Sequence, residues 1–257
     1  MELTHETQAL LLERILDLGQ LLLDCGAEIS RVEDTLVRIG KAYGAEETDV
    51  FVITSIISLT MEFPGYEAVT ETRRISRDGG TDFTRMEKLN ALSRDICAEP
   101  IPVEQLRERI RAIAAGRKPL SVQLIGSALA AGGFAVFFGG SVADGITAAL
   151  FGLLICAMQV YLDKTELNTV ARNLLISFLV GLGVGVTTRL IGSLDMDMIL
   201  IGDIMLLIPG LAMTNAVRNV MLGNTISGLI RLADSLLWAG ALAGGFMVAL
   251  RVIDIML

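Results

Sequence analysis

Histidine is almost missing from this 257-residue chain. His5 is its one copy, so a His-based triad and a histidine-rich metal site are both excluded. Cysteine is scarce too: Cys25, Cys97 and Cys156 lack metal-ligand spacing, and an odd, scattered set reads as three free thiols in a reducing compartment. Excess positive charge is absent. A net charge of −8 argues against nucleic acid, which is held by clustered Lys and Arg on phosphate. The two basic clusters, around Arg73-Arg74 and from Arg107 to Lys118, read as a strand face and a topology signal. No phosphate-cradling loop is present, because Gly79-Gly80 lacks the Lys-Ser/Thr that should follow. The polar, acidic start from Met1 to Glu6 gives no expectation of a cleavable leader. No cofactor and no metal are expected.

Charge is distributed unevenly. Residues 1–118 hold 15 of the 21 basic and 21 of the 29 acidic residues, leaving six and eight for the remaining 139. The mean hydropathy of +0.61 therefore averages two unlike parts. The expected class is a membrane protein: an N-terminal cytoplasmic α+β domain over 1–118, then an α-helical bundle of five transmembrane helices over 119–257.

In the first part, Leu11, Ile15, Leu18 and Leu22 stand at helical spacing and stop near Gly26. Ser30, with Glu33 three residues on, forms a capping box for a second helix ending near Gly44. Residues 48–63, rich in Val, Ile, Thr and Phe, predict two strands parted near Thr54-Ser55. Ala68 to Arg77 makes a third, turned at Asp78-Gly79-Gly80. A capping box at Thr84 to Glu87 opens a helix to about Cys97, and Pro102 starts a last one to Ala115. The order is ααβββαα. The charged turn holding Glu28, Arg31, Glu33 and Asp34 either binds a ligand or only caps and solvates its helix.

In the second part, five stretches with few or no charges predict spans at about 120–140, 144–162, 172–190, 198–217 and 235–253. Arg107, Arg109, Arg111, Arg117, Lys118, Lys164, Arg172, Arg218 and Arg231 fall on one side and only Arg189 and Arg251 on the other. This bias puts the N-terminus in the cytoplasm and the C-terminus outside. Glycines in 181–185 and at Gly240 and Gly244 give small residues four apart, suited to close helix packing. Gly223 and Gly228 mark a re-entrant or hinge element in the polar stretch 218–234. Within the fourth span, Asp203 is a carboxylate in an apolar run, either paired in a packed bundle or binding a proton or polar substrate. Pro209-Gly210 breaks the helix, and Thr214, Asn215 and Arg218 follow.

Gly26 to Thr35, Asp49 to Val52, Pro209 to Arg218 and Ser227 to Arg231 resemble the threonine/serine exporter family, in the expected order over nearly the whole chain. The resemblance implies an inner-membrane secondary exporter of small polar metabolites, with a cytoplasmic domain before the spans. It further suggests the larger, five-span component of a split form, acting with a four-span membrane partner subunit on threonine and serine or on C4 dicarboxylates such as succinate. In that frame, a proton-linked cycle would use Asp203 for coupling and Thr214, Asn215 and Arg218 for substrate. The chain departs from the family where Asn219 and Asn224 replace the usual acids. A membrane-anchored hydrolase and a regulatory or scaffold subunit are the alternatives; the hydrolase finds no obvious nucleophile. Assembly into an oligomer is expected.

Overall fold

The computed structural model describes residues 5–53, 55–75, 81–116, 119–165 and 167–256. They group into two compact units: Met1–Arg117 with Leu211–Leu232, and Lys118–Gly210 with Ala233–Leu257. Residues 211–232 thus cluster with the first unit.

The first unit begins with α1 (His5–Asp24), α2 (Ile29–Ala42), β1 (Glu47–Ile53), β2 (Ile56–Glu62), β3 (Val69–Arg74), α3 (Phe83–Ala98) and α4 (Val103–Ala115). Helices and strands follow the expected order. The three strands form one antiparallel sheet in the order β1-β2-β3, with Val50 opposite Leu59 and Leu59 opposite Glu71. Strand alternation decides the faces. Ile57, Leu59 and Met61 of the central strand are buried. Its other face carries hydroxyl pairs, Ser58 with Thr72 at 3.1 Å and Thr60 with Thr70 at 2.8 Å. The buried sheet face meets Leu11, Ile15, Leu18 and Leu22 of α1 and Val32, Leu36 and Ile39 of α2 in one core. Arg73, from the first basic cluster, is ion-paired with Asp17 of α1.

Both expected capping boxes are displaced. Helix α2 starts at Ile29, with Glu28 as its N-cap at φ −71° and ψ 141°, so Ser30 lies inside the first turn. The cause is the end of α1. Gly26 takes φ +86°, a left-handed conformation open to glycine. Its N–H donates to the Leu23 carbonyl and the Ala27 N–H to the Leu22 carbonyl, a Schellman closure that fixes where the chain re-enters helix. Helix α3 is capped by Asp82, whose carboxylate accepts from the Arg85 N–H at 3.1 Å, two residues before Thr84. The expected Asp78–Gly80 turn lies outside the described residues.

The second unit holds α5 (Leu120–Phe137), α6 (Val142–Leu162), α7 (Thr169–Leu190), α8 (Met196–Leu207) and most of α10 (Thr225–Met256). The short helix α9 (Gly210–Met221) belongs to the first unit with the opening turns of α10. Among the described residues four helices, α5, α6, α7 and α10, are long and apolar enough to cross a membrane; the pair α8 and α9, bent by 51° at a break, makes a fifth if counted as one span. Large apolar side chains remain exposed on them, among them Leu129, Ile146, Leu150, Leu237 and Met247. That is the pattern of helices solvated by lipid.

Small residues set the helix spacing. A Cβ on Gly132 would come 2.7 Å from the Gly145 carbonyl, and one on Gly152 2.8 Å from the Ser127 carbonyl, so α5 and α6 touch backbone to backbone. Gly181 packs on Ala249 and Phe246 of α10. The expected stripe on α10 is out of phase by one residue: Gly240 and Gly244 meet nothing within 4 Å, whereas a Cβ on Gly245 would lie 2.6 Å from the Leu174 carbonyl. The contacting row is Ala241, Gly245 and Ala249, all buried. At one end of the bundle the Asp144 carboxylate accepts from the Ser141 N–H and hydroxyl and from the Asp195 N–H, at 2.8, 2.7 and 2.8 Å.

Candidate functional site: a mixed-charge cavity in the first unit

Three helices of the first unit each contribute one stripe at helical spacing to a common hollow. Glu28, at the cap of α2, is followed by Arg31, Val32 and Thr35. Helix α3 supplies Phe83, Met86 and Asn90, and α9 supplies Leu211, Asn215 and Arg218. Leu22, Gly26, Ala27 and Thr81 complete the wall of a cavity of about 320 Å³. That volume is at the small end for ligand pockets.

Across it, Arg218 Nη1 lies 2.5 Å from Glu28 Oε1. The partners differ in exposure: the Glu28 side chain is 15% exposed and that of Arg218 54%. Arg31 adds a second guanidinium, and among the described residues no carboxylate pairs with it. The carboxamides of Asn90 and Asn215 are likewise uncommitted among the described residues. The Thr35 hydroxyl donates to the Arg31 carbonyl at 2.7 Å. The wall therefore offers one anion, two cations, two amides and an apolar side formed by Leu22, Val32, Phe83, Met86 and Leu211.

Of the residues singled out by sequence, Glu28, Arg31, Asn215 and Arg218 meet here. Glu33 and Asp34 do not. Glu33 Oε1 accepts from the Val52 N–H of β1 at 3.2 Å, and burial pushes its carboxyl above the ordinary value despite that bond. Asp34 pairs with Arg38 one turn on, at 2.9 Å. Thr214 is exposed and outside the cavity wall. Pro209 and Gly210 sit at the break between α8 and α9. Asn90, Thr81, Phe83 and Met86 were not foreseen as site residues; the only hint was the i, i+3, i+7 spacing of Phe83, Met86 and Asn90, which also fits plain packing.

Helix α9 is fixed by its return. Gly223 takes φ +91°, the Gly223 N–H donates to the Val220 carbonyl and the Asn224 N–H to the Asn219 carbonyl. The chain then enters α10, where a Cβ on Gly228 would lie 2.8 Å from the Ala216 carbonyl. Residues 218–234, expected to be a re-entrant or hinge element, are thus a tight helical hairpin. Asn219 faces into it, fully buried, with neither side-chain atom hydrogen-bonded among the described residues.

In the second unit, Asp203 on α8 is fully buried, and both its carboxylate oxygens lack a hydrogen-bond partner among the described residues. Its neighbour Gly202 abuts the backbone of α5 at Ala131. An uncompensated buried carboxylate is costly, and in membrane proteins such residues commonly mark ion or substrate pathways.

Compared with known families, residues 13–253 match the family model described as "Putative threonine/serine exporter". The chain belongs to the threonine/serine exporter family. Two curated members of this family align with nearly all of it. A "Probable threonine/serine exporter" from Mycobacterium tuberculosis is 24% identical over 248 residues, 93% of this chain and 46% of that protein. A "Threonine/serine exporter" from Corynebacterium glutamicum is 22% identical over 249 residues, 93% of this chain and 50% of that protein. The chain thus spans about half the length of the curated relatives it matches. No solved structure matches it. As a member of an exporter family with several apolar helices, it is a multi-pass membrane protein.

Proposed function

We propose that this chain exports small zwitterionic amino acids, of the threonine and serine kind named for its relatives, across the inner membrane. The observation that carries this reading is the convergence of two motifs nearly 180 residues apart, 28–35 and 211–218, on one small cavity with charges of both signs. In it the first unit faces the cytoplasm and takes up the cargo, and the C-terminus lies outside. Asp203 is the proton-coupling group; what supports this is a fully buried carboxylate with no hydrogen-bond partner among the described residues, the kind of intramembrane group that marks ion pathways. In the same reading, a four-span membrane partner subunit works with this chain. Two guanidiniums in one wall also suit a C4 dicarboxylate such as succinate, but Glu28 opposes a second negative charge there.

The test is uptake of labelled L-threonine, L-serine and succinate into inverted membrane vesicles holding the chain with and without the partner. Uncoupler-sensitive uptake of the amino acids is expected, with Asp203→Asn uncoupled or inactive. Unchanged, uncoupler-sensitive transport by Asp203→Asn would remove its assigned role. Uptake confined to succinate would replace the cargo.

A further inference from the structure

The Glu28–Arg218 pair lies in the wall of the cavity, and its two halves stand in different surroundings. We propose that this pair is a latch that selects zwitterions: an amino acid opens it by placing its ammonium on Glu28 and its carboxylate on Arg218. The idea rests on the reading of the cavity as the cargo site. Its basis is an exchange of partners. A zwitterion replaces one ion pair with two, so both protein charges stay compensated and the cavity's net charge is unchanged.

A ligand with one charge cannot do this. A carboxylate alone takes Arg218 and strands Glu28, whose side chain is largely withdrawn from water. A stranded, poorly solvated charge is the expensive outcome. An amine alone takes Glu28 and strands Arg218, which is more than half exposed and keeps much of its hydration. Arg31, in the same wall and without a carboxylate partner among the described residues, can also hold a lone carboxylate, but without releasing Glu28. The ammonium is therefore the key and Glu28 the lock. Expected affinities fall in the order zwitterion, amine, carboxylate. The outer steps of that series differ by about ten- to a hundredfold, the usual effect of leaving a charged group unsatisfied.

Serine and its two half-molecules test this directly, since ethanolamine lacks the carboxylate and 3-hydroxypropionate lacks the ammonium. The full chain in lipid nanodiscs is equilibrated with labelled L-serine and competed with each compound. The wild type should rank serine, then ethanolamine, then 3-hydroxypropionate. Glu28→Gln should bring 3-hydroxypropionate to within about threefold of serine, because no charge is then stranded. If Glu28→Gln does not fold, Arg218→Gln, altered on the exposed partner, decides instead: ethanolamine should then compete as well as serine. Equal competition by serine and 3-hydroxypropionate in the wild type overturns the latch, as does full discrimination retained in the variant that folds. Absence of serine binding overturns it too. Serine transport in vesicles separates the two ideas. Transport persisting beside unchanged discrimination refutes the latch and leaves the exporter standing, whereas ranked binding without transport supports the latch and refutes export.

Discussion

Gly202 and Gly126 offer one substitution with opposite consequences. Both lie in helices of the second unit, so replacing either by alanine gains roughly 0.8–1 kcal/mol of helix propensity. At Gly126 a Cβ meets nothing within 4 Å among the described residues, and that gain stands alone. At Gly202 the same atom would sit 2.5 Å from the Ala131 carbonyl oxygen and 3.0 Å from the Ala135 Cβ. The obstacle is backbone, which no rotamer change removes. Ordinary contact begins at 3.4 Å, so α8 and α5 must separate locally by about 0.9 Å. Overpacking of this kind costs about 1–3 kcal/mol, leaving Gly202→Ala destabilised by up to about 2 kcal/mol after the propensity gain. That gain is common to both variants, so they differ by the overpacking cost, about 1–3 kcal/mol. At about 2–4 °C per kcal/mol, their melting temperatures should be about 2–12 °C apart, with Gly126→Ala the higher. Thermal melts of the purified full chain in one detergent measure this. Equal melting temperatures, or a more stable Gly202→Ala, would refute direct backbone contact between α5 and α8. Since Asp203 is the next residue, transport by Gly202→Ala should fall further than its lost stability explains.

Two further expectations concern the first unit. Glu33 carries a carboxyl raised above its ordinary 4.5, chiefly by burial, so its charged form is disfavoured in the fold. A raised carboxyl favours folding below its unfolded value, and that advantage is lost as pH rises through the folded value. Glu33→Gln should therefore stabilise the chain at pH 7, its amide oxygen still able to accept from Val52, and the benefit should shrink toward pH 4. Melts at the two values check it, and a larger benefit at the lower pH would contradict the assignment. Tyr43 donates to the Ile101 carbonyl at 2.8 Å, and burial pushes its hydroxyl up to about 12 from 10.0. Tyr43→Phe should cost about 1 kcal/mol below pH 10, a difference that vanishes at pH ~11 and then reverses, because the phenol ionises in the unfolded chain before it does in the fold. Chemical denaturation at pH 7 and pH 11 reads that change.

Periodicity made much of this molecule legible. Leu11, Ile15, Leu18 and Leu22 define a buried stripe, strand alternation places Ile57, Leu59 and Met61, and the charge-poor stretches become long apolar helices. Asp203 stood out because a carboxylate in an apolar run breaks the pattern. Phase was harder. Ser30 and Glu33 have capping-box spacing, but the glycine closure at Gly26 starts the helix at Ile29 and turns Glu33 toward β1. Gly240 and Gly244 have packing spacing, but the face of α10 that meets α7 is the one holding Gly245. The cavity was hidden for a different reason. The stripes at 28–35 and 211–218 are each local, and their meeting is a long-range event that spacing within either motif does not encode. The residues from α3 carried no chemical signal at all.

The clasp at Asp144 bears on how the chain is assembled as it is made. Its bonds to Ser141 form as soon as the turn between α5 and α6 is complete, but its bond to the Asp195 N–H reaches 51 residues ahead, to the residue just before α8. The third bond can close only once α7 has been made and has brought the start of α8 back to the α5–α6 turn. Full satisfaction of the Asp144 carboxylate is therefore a long-range property: a change in the length of α7 would leave one of its three bonds unmade without touching the turn itself.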